Sequence, residues 1–234
     1  VTKGMPDCDG IVISHYHMDH LGQLISTLPE IPLYMGELSK EIALIGAEHQ
    51  DRDLYLRLLG ANTFRGGEAF SIGDIRIRPL VIDHSAVDSY MFVIEAEGKR
   101  VLYTGDFRMH GLRHHVLDKL VNTYIGEVDV LITEGTSLSR DADDCISEAT
   151  VLDDISSYIQ DGKYVFVICS STNIDRIMGI WQNMPTDKVL ICDAYQKRIL
   201  DTVINNVYYE SSLYRRHDSP LVIDKGRYPK YYME

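Results

Sequence analysis

The sequence predicts an α/β protein, an α+β sandwich, in two parts: a core over residues 1–140 and a smaller domain over residues 141–234. Short apolar runs that end in glycine or aspartate turns fill the first part, which is typical of strands in a sheet. From about Ile146 strands alternate with helices, which is typical of a parallel sheet. At 234 residues the chain is long enough for two such domains, each with its own core.

Each element of the first part follows from a run of apolar residues and the turn that bounds it. Residues 9–14 form a short apolar run that indicates a buried strand, and residues 23–28 have helical character. Residues 36–59 carry apolar side chains at helical spacing and predict one helix. The remaining strands of this part are predicted at 31–35, 69–72, 75–82, 90–96, 100–104 and 128–133.

The second part is predicted from the same signals, with longer helices between the strands. In chain order its elements are a helix over 147–160, a buried strand over 164–169, a helix from the polar loop 170–173 to about Trp181, a strand over 189–192 and a helix over 196–205. This order favours a parallel sheet with crossover helices.

The composition argues against several classes of protein. A formal net charge of −12 argues against a protein that coats nucleic acid by bulk electrostatics, while a local basic groove stays compatible with it. No apolar run approaches the roughly 18 residues that a membrane span needs, and no segment resembles a signal peptide. The four scattered cysteines form no CxxC pair and predict buried free thiols in a reducing cytoplasm.

Three histidines and an aspartate lie within six residues, directly after the first predicted strand: His15, His17, Asp19 and His20. Two imidazoles at alternate positions of an extended segment face the same side and can hold one metal ion together. Asp19 and His20 lie on the turn beyond and can face a second metal. The cluster therefore predicts a metal site with room for two ions.

His84 and Asp106 each follow an apolar strand, and each is by itself a weak signal, since a polar residue at a strand end is usually part of a turn. Sites of α/β proteins gather where strands end, so these two residues are placed to complete a two-metal centre. Imidazole and carboxylate ligands without a thiolate suit Zn²⁺, with Mn²⁺ as a substitute.

Together these residues resemble the metallo-β-lactamase superfamily. Residues 15–20 (HYHMDH) match its HxHxDH signature, residues 83–85 (DHS) its next metal histidine and residues 104–106 (TGD) its bridging aspartate. The resemblance implies an αββα fold and a hydrolase. It also implies that His15, His17 and His84 hold one zinc, that Asp19 and His20 hold part of a second, and that Asp106 bridges the two.

The resemblance narrows to the β-CASP nucleases, such as ribonuclease J. Residues 84–89 (HSAVDS) and 103–108 (YTGDFR) are similar to the corresponding stretches of these enzymes, and residues 131–136 (LITEGT) to their first specific motif. Residues 165–176 (VFVICSSTNIDR) resemble a strand, a Ser-Asn loop and an arginine helix of the β-CASP domain, so residues 141–234 would be part of that domain. The similarity covers about residues 8–205.

The implied activity is cleavage of RNA phosphodiesters by a two-metal-activated hydroxide, with Asp19, Asp106 and Glu134 as the catalytic residues. Glu134 would orient a histidine further along the chain, or it is only a turn residue at a strand end; both interpretations stay open. Ser171, Asn173 and Arg176 either contact the RNA backbone or cap the helix that follows them.

Basic residues elsewhere allow further contacts with RNA. Arg108, His110, Arg113, His114 and His115 follow Asp106 and can form a local phosphate-binding patch. Arginines and lysines alternate with tyrosines over 214–232, a pattern compatible with base stacking, although a solvated, frayed face is the simpler interpretation.

Some features of the resembled family have no counterpart here. Only about a dozen residues precede the HxHxDH signature, and the one histidine beyond Arg176 is His217, which matches neither of the two later histidine motifs. We therefore expect a fragment of a longer or split enzyme, with the opening strands missing, the second metal short of a ligand, and no activity in isolation. An unpaired sheet edge would then favour homo-oligomers.

Two alternatives to the ribonuclease stay open. One is a hydrolase of the same fold that acts on small thioesters or lactones, although such enzymes do not need the segment after residue 146. The other is a non-catalytic structural or RNA-binding module of a larger assembly, since this fold hosts many functions. The RNA target, endo- or exonuclease mode and the physiological metal are not determined by the sequence.

Overall fold

The structure is a computed structural model that describes residues 2–48, 50–139, 145–206 and 220–222. The chain divides into two compact units, Val1–Ser147 and Glu148–Glu234. Among the described residues no helix is both long and apolar enough to cross a membrane.

The first unit contains eight described strands and four α-helices. The strands are β1 (Ile11–Val12), β2 (Leu33–Gly36), β3 (Asn62–Phe64), β4 (Phe70–Ile72), β5 (Ile75–Val81), β6 (Tyr90–Ala96), β7 (Lys99–Tyr103) and β8 (Val130–Ile132). The helices are α1 (Met18–Leu21), α2 (Glu37–Ala47), α3 (Arg52–Leu59) and α4 (His115–Leu120), with a 3-10 turn at Leu24–Ser26 and a π-helical turn at Val121–Ile125.

These strands form two sheets. Strands β1, β2 and β3 make a parallel three-stranded sheet in that order. Strands β4 to β8 make a five-stranded sheet in chain order, antiparallel from β4 to β7, with β8 parallel to β7. In the five-stranded sheet Phe92 pairs with Tyr103, and Leu102 pairs with Leu131.

Each face of the five-stranded sheet has its own apolar cluster. One cluster joins Phe64 of β3 to Ile77, Tyr90 and Phe92 of the five-stranded sheet, so the two sheets pack face to face. The other face packs on α4 and the π-helical turn through the buried residues Leu80, Ile82, Met91, Val93, Leu102, Leu120 and Ile125. Because α2 contacts β2 and β3, the layers are helix, sheet, sheet and helix. The predicted αββα sandwich is confirmed.

The single helix predicted over 36–59 is wrong, because the structure has two helices there, α2 and α3. Asp51 begins the second helix: its side chain accepts hydrogen bonds from the backbone N–H groups of Asp53 and Leu54, at 3.1 and 3.0 Å. An aspartate at this position satisfies N–H groups that have no partner within the helix. The cap thus starts a new helix although the apolar spacing continues through the break.

The second unit contains α5 (Glu148–Asp161), α6 (Ile174–Asn183), α7 (Ala194–Asn205) and the short parallel strands β9 (Ile191–Cys192) and β10 (Leu221–Val222). The buried strand predicted over 164–169 is wrong: no strand forms there, and Phe166 and Ile168 are 92% and 100% exposed. A strand exists only where a neighbour pairs with its backbone, and no described segment does so here.

The four cysteines are free, as predicted. They are less buried than predicted, since Cys145 is exposed and the other three are half-buried. Burial raises the pKa of the Cys169 and Cys192 thiols, which makes both thiols less reactive at neutral pH.

A candidate metal centre

The predicted metal ligands meet where three strands end. His15 and His17 follow β1, His84 follows β5 and Asp106 follows β7. The Thr-Gly-Asp turn needs glycine, because Gly105 has a φ of +56° and a Cβ there would lie 2.9 Å from the Tyr90 carbonyl oxygen. The chain can therefore turn tightly against its neighbour and point Asp106 toward the histidines.

His15, His17 and His84 form one group of nitrogen donors. His17 Nδ1 lies 3.1 Å from His15 Nε2 and 3.1 Å from His84 Nε2, and the three ligand atoms lie within 4.8 Å of one another. Nitrogens bound to a tetrahedral zinc at about 2.0–2.1 Å are about 3.3 Å apart. The three imidazoles therefore fit a zinc ion, with a fourth position left for another ligand.

Burial keeps these imidazoles neutral. Desolvation, with the neighbouring histidines, lowers the pKa of His15 to about 2, and desolvation is also the first cause that lowers the pKa of His84 to about 4. The pKa of His17 is lowered for the same first reason, although Asp19 and Asp106 oppose the shift. Neutral imidazole is the form that binds a metal, so the site need not lose protons at neutral pH to do so.

A second group consists of His15, His20 and Asp106, whose ligand atoms also lie within 4.8 Å of one another. His20 Nε2 is 3.5 Å from Asp106 Oδ1 and 3.7 Å from Asp19 Oδ2. The Asp19 side chain is 75% exposed and lies outside both three-residue groups. The structure thus brings His20 and Asp106 together, leaves Asp19 at the rim, and makes His15 the residue that the two groups share.

Several contacts fix the segment that carries the histidines. Ser14 Oγ lies 3.1 Å from His15 Nδ1, which leaves His15 Nε2 for the centre. The Tyr16 hydroxyl oxygen accepts the backbone N–H of Val87 at 3.0 Å and so holds the loop after His84. Tyr16 therefore has a positioning role that sequence analysis did not assign. The signal available in the sequence was a tyrosine, an apolar ring with a polar hydroxyl, between two metal histidines.

Glu134 follows β8 and anchors the chain beside Asp106. Its Oε1 accepts the backbone N–H of Phe107 at 2.7 Å, and its Oε2 accepts the Thr136 hydroxyl at 2.5 Å. The carboxylate thus holds the main chain one residue from a metal-site aspartate. This contact supports a positioning role rather than that of a simple turn residue.

The predicted substrate contacts lie in the second unit. The Arg176 guanidinium binds the Glu148 carboxylate at two points, 2.7 and 2.9 Å. Asn173 precedes α6 but its side chain makes no capping hydrogen bond, and the Ser171 carbonyl accepts from Gln196 Nε2 at 3.1 Å. Arg176 is thus already held by a carboxylate.

The structure describes only one of the two basic segments that were predicted to contact RNA. Arg108 does not face solvent as a phosphate-binding residue would, because it pairs with the buried Asp83 at 2.8 Å, whereas His110, His114 and His115 are exposed. The predicted stacking surface over 214–232 and His217 lie outside the described residues.

A family model described as a β-lactamase superfamily domain matches residues 1–154. The chain belongs to the β-lactamase superfamily. The resemblance that the motifs indicated is therefore confirmed, and the candidate centre lies entirely within the matched region. A crystal structure of a protein of unknown function from Enterococcus faecalis V583 is similar to 84% of the chain, with a TM-score of 0.67 at 19% identity, and supports the same fold. The chain covers 50% of that protein.

Curated relatives within this superfamily include nucleases. Ribonuclease J of Helicobacter pylori (strain ATCC 700392 / 26695) is 27% identical over 183 residues, which are 72% of the chain and 25% of the relative. Endoribonuclease YSH1 of Gibberella zeae is 25% identical over 89% of the chain and 26% of the relative. Cleavage and polyadenylation specificity factor 73 of Drosophila melanogaster is 26% identical over 90% of the chain and 31% of its own length. The chain spans about a quarter to a third of these relatives.

Proposed function

We propose that the chain is the metal-binding part of a two-metal hydrolase of the β-CASP type, which cleaves RNA phosphodiesters. The observation that carries the proposal is the pair of adjoining donor groups, His15/His17/His84 and His15/His20/Asp106. The ribonuclease names of the relatives support the choice of RNA as substrate. Zinc suits the donor set, and manganese is the substitute.

In this proposal each ligand residue has a definite task. The imidazoles of His15, His17 and His84 would hold one cation, while His20 and Asp106, with Asp19 at the rim, would hold part of a second. When bound, two divalent cations would supply Lewis acidity to a phosphoryl group and would lower the pKa of water. Asp106 Oδ1 lies 3.5 Å from His20 Nε2, and by resemblance to the family its carboxylate would be shared by the two cations.

Other residues keep this arrangement ready before a metal binds. Ser14 orients the His15 ring through Nδ1, and Glu134 holds the Phe107 backbone beside Asp106. His15 is fully buried, so water is kept from the inner side of the centre. Ligands that are held in place in this way favour the reaction more than flexible ligands do, because the site needs little rearrangement when the reaction occurs.

Two further proposals concern the cellular compartment and the oligomeric state of the protein. The four free thiols support a reducing compartment, the cytoplasm. The exposed residues of β8, the last strand of the five-stranded sheet, support association with other copies of the chain.

The test uses the full gene product supplied with zinc or manganese. It is incubated separately with a labelled single-stranded RNA, a thioester and a lactone. We expect cleavage of RNA, and its loss in His17→Ala and Asp106→Ala, because both changes remove a metal ligand. The matched control is Asp74→Ala, which changes an exposed aspartate in the turn before β5, outside both groups.

Hydrolysis of the thioester or lactone without RNA cleavage would overturn the nuclease proposal in favour of a small-molecule hydrolase. Equal RNA cleavage by the ligand variants would show that the centre is not the site of reaction. RNA binding without any hydrolysis would favour a non-catalytic module.

A further inference from the structure

Asp83 is a buried carboxylate directly before His84. Its side chain is 1% exposed, and two donors from the segment after β7 bind it. Arg108 Nε donates to Oδ1 at 2.8 Å, and the backbone N–H of Arg113 donates to Oδ2 at 2.5 Å. The backbone N–H of Arg108 also donates to the Asp83 carbonyl oxygen at 2.9 Å. Both the carboxylate and the backbone carbonyl group of Asp83 are therefore hydrogen-bonded to the segment that follows β7.

The packing around this carboxylate leaves no spare space. A Cβ at Gly111 would lie 2.3 Å from Asp83 Oδ1 and 2.4 Å from Arg108 Nε. The chain can approach the ion pair this closely only with glycine at this position. The Arg108 side chain is itself only 9% exposed, so the pair is an interior feature of the loop, unlike the exposed ion pairs elsewhere on the sheet.

This link joins two strand ends that the sheet itself does not join. Asp83 follows β5 and Arg108 follows β7, and β6 lies between these strands. The hydrogen bonds of the sheet therefore connect the ends of β5 and β7 only indirectly, through β6. Asp83 is covalently next to His84, and Arg108 is two residues from Asp106. The ion pair is thus a direct connection between the segment that carries His84 and the segment that carries Asp106.

We propose that Asp83 is a positioning residue, which fixes the separation of the His84 and Asp106 side chains through its bonds to Arg108 and Arg113. The inference deepens the proposed function and rests on its metal centre, but not on the identity of the substrate. A buried ion pair contributes little net stability compared with apolar packing, because both charges lose their contacts with water. It does, however, hold its two partners in one relative position. A role in spacing the ligands accounts for its place between them.

The experiment measures Co²⁺ binding, because the visible absorption of protein-bound Co²⁺ reports the geometry of its ligands. The main variant is the double substitution Asp83→Asn with Arg108→Gln, which removes both charges and leaves no buried charge unpaired. We expect this protein to fold with a melting temperature near that of wild type. Its Co²⁺ affinity should fall by about 10- to 100-fold, the loss that accompanies removal of residues that orient metal ligands, and its absorption spectrum should shift.

Two further variants separate positioning from general stability. Glu95→Gln with Arg100→Gln removes an ion pair of 2.6 Å from β6 and β7, at the opposite end of the strands from the centre, and should leave Co²⁺ affinity and spectrum unchanged. Arg108→Lys keeps a charged donor for Asp83 and should bind Co²⁺ more tightly than Arg108→Gln.

The outcomes are distinct. Wild-type affinity and an unchanged spectrum in the folded double variant would overturn the inference alone. Failure of wild type to bind Co²⁺ would overturn both this inference and the proposed metal centre. A weakened and altered site in the double variant supports the inference even if the full gene product does not cleave RNA.

Discussion

The guanidinium of Arg176 on α6 lies across the carboxylate of Glu148 on α5, with Nε and Nη2 each bound to a different oxygen. The Glu148 side chain is 1% exposed and that of Arg176 is 30% exposed. Two parallel N–H···O bonds make this the strongest geometry that an arginine and a carboxylate can form. Since the pair joins α5 to α6, Arg176 contributes to the stability of the second unit.

Arg176→Ala should therefore destabilise the second unit. Loss of one partner of a buried ion pair costs about 3–5 kcal/mol. Urea unfolding followed by tryptophan fluorescence measures this directly, because Trp181 is the only tryptophan, is buried and lies on α6. The control is Lys197→Ala, which removes a helix-surface pair with Asp201 and should cost about 0.5 kcal/mol or less.

The same variants test the alternative role of Arg176 in RNA binding. An unchanged unfolding midpoint in Arg176→Ala, together with RNA affinity that weakens less as salt rises, would assign Arg176 to the substrate and contradict the structural role.

Asp88 is the basis of a second prediction, on how the stability of the fold depends on pH. Its buried carboxylate accepts the backbone N–H of Ser39 at 2.7 Å, in the first turn of α2, and also the Tyr90 hydroxyl. Burial raises the pKa of Asp88 above the ordinary 3.8. Between 3.8 and the raised pKa the folded state holds a proton that the unfolded state has released, so this group contributes less stability as pH rises through that window.

Asp88→Asn should remove this pH dependence. Asparagine keeps an oxygen for the Ser39 N–H and tolerates the φ of +61° at this position. Unfolding free energies measured from pH 3 upward should therefore show wild type losing stability relative to the variant as the pH rises. Asp88→Ala lacks the acceptor and should cost about 1–3 kcal/mol at every pH. A constant difference between wild type and Asp88→Asn would contradict the raised pKa.

The metal centre yields a prediction that separates its two sites. The 234-residue chain should bind one zinc ion tightly through three imidazoles and a second more weakly. His15→Ala and His84→Ala should each abolish the tight site and His20→Ala only the weak one, with losses larger than the about 10- to 100-fold of an orienting residue. Titration calorimetry with elemental analysis measures both sites. Two equally tight zinc ions would show that a further residue completes the second group.

The centre was predictable because its ligands are concentrated in sequence. His15, His17 and His20 lie within six residues, and the strands that carry His84 and Asp106 end where periodicity predicts. Contacts between distant residues were not predictable in this way. The bond of Arg108 to Asp83 spans 25 residues, and no local pattern marks either partner. Likewise, the apolar run over residues 164–169 predicted a buried strand, but the described residues provide no neighbour that pairs with it.

Strand β8 carries the last prediction, on self-association. It ends the five-stranded sheet, and among the described residues no strand pairs with its outer edge. Its three apolar residues, Val130, Leu131 and Ile132, are 48%, 56% and 50% exposed. Neighbouring residues point to opposite faces of a sheet, so apolar surface is open on both faces beside an unpaired backbone. Edges of this kind pair readily with other chains.

Leu131→Lys should therefore reduce self-association, because a lysine on an edge strand opposes pairing with another chain. Light scattering coupled to size-exclusion chromatography should give oligomers for the wild-type chain at high concentration and a larger monomer fraction for the variant. The matched control is Leu56→Lys, which introduces the same change at a 51% exposed leucine of α3 and should leave the oligomers unchanged. Circular dichroism melting must show that both variants are folded. A wild-type chain that stays monomeric at all concentrations would contradict the prediction. An equal effect of the two lysine substitutions would also contradict it, because the edge of β8 would then not be the surface through which the chains associate.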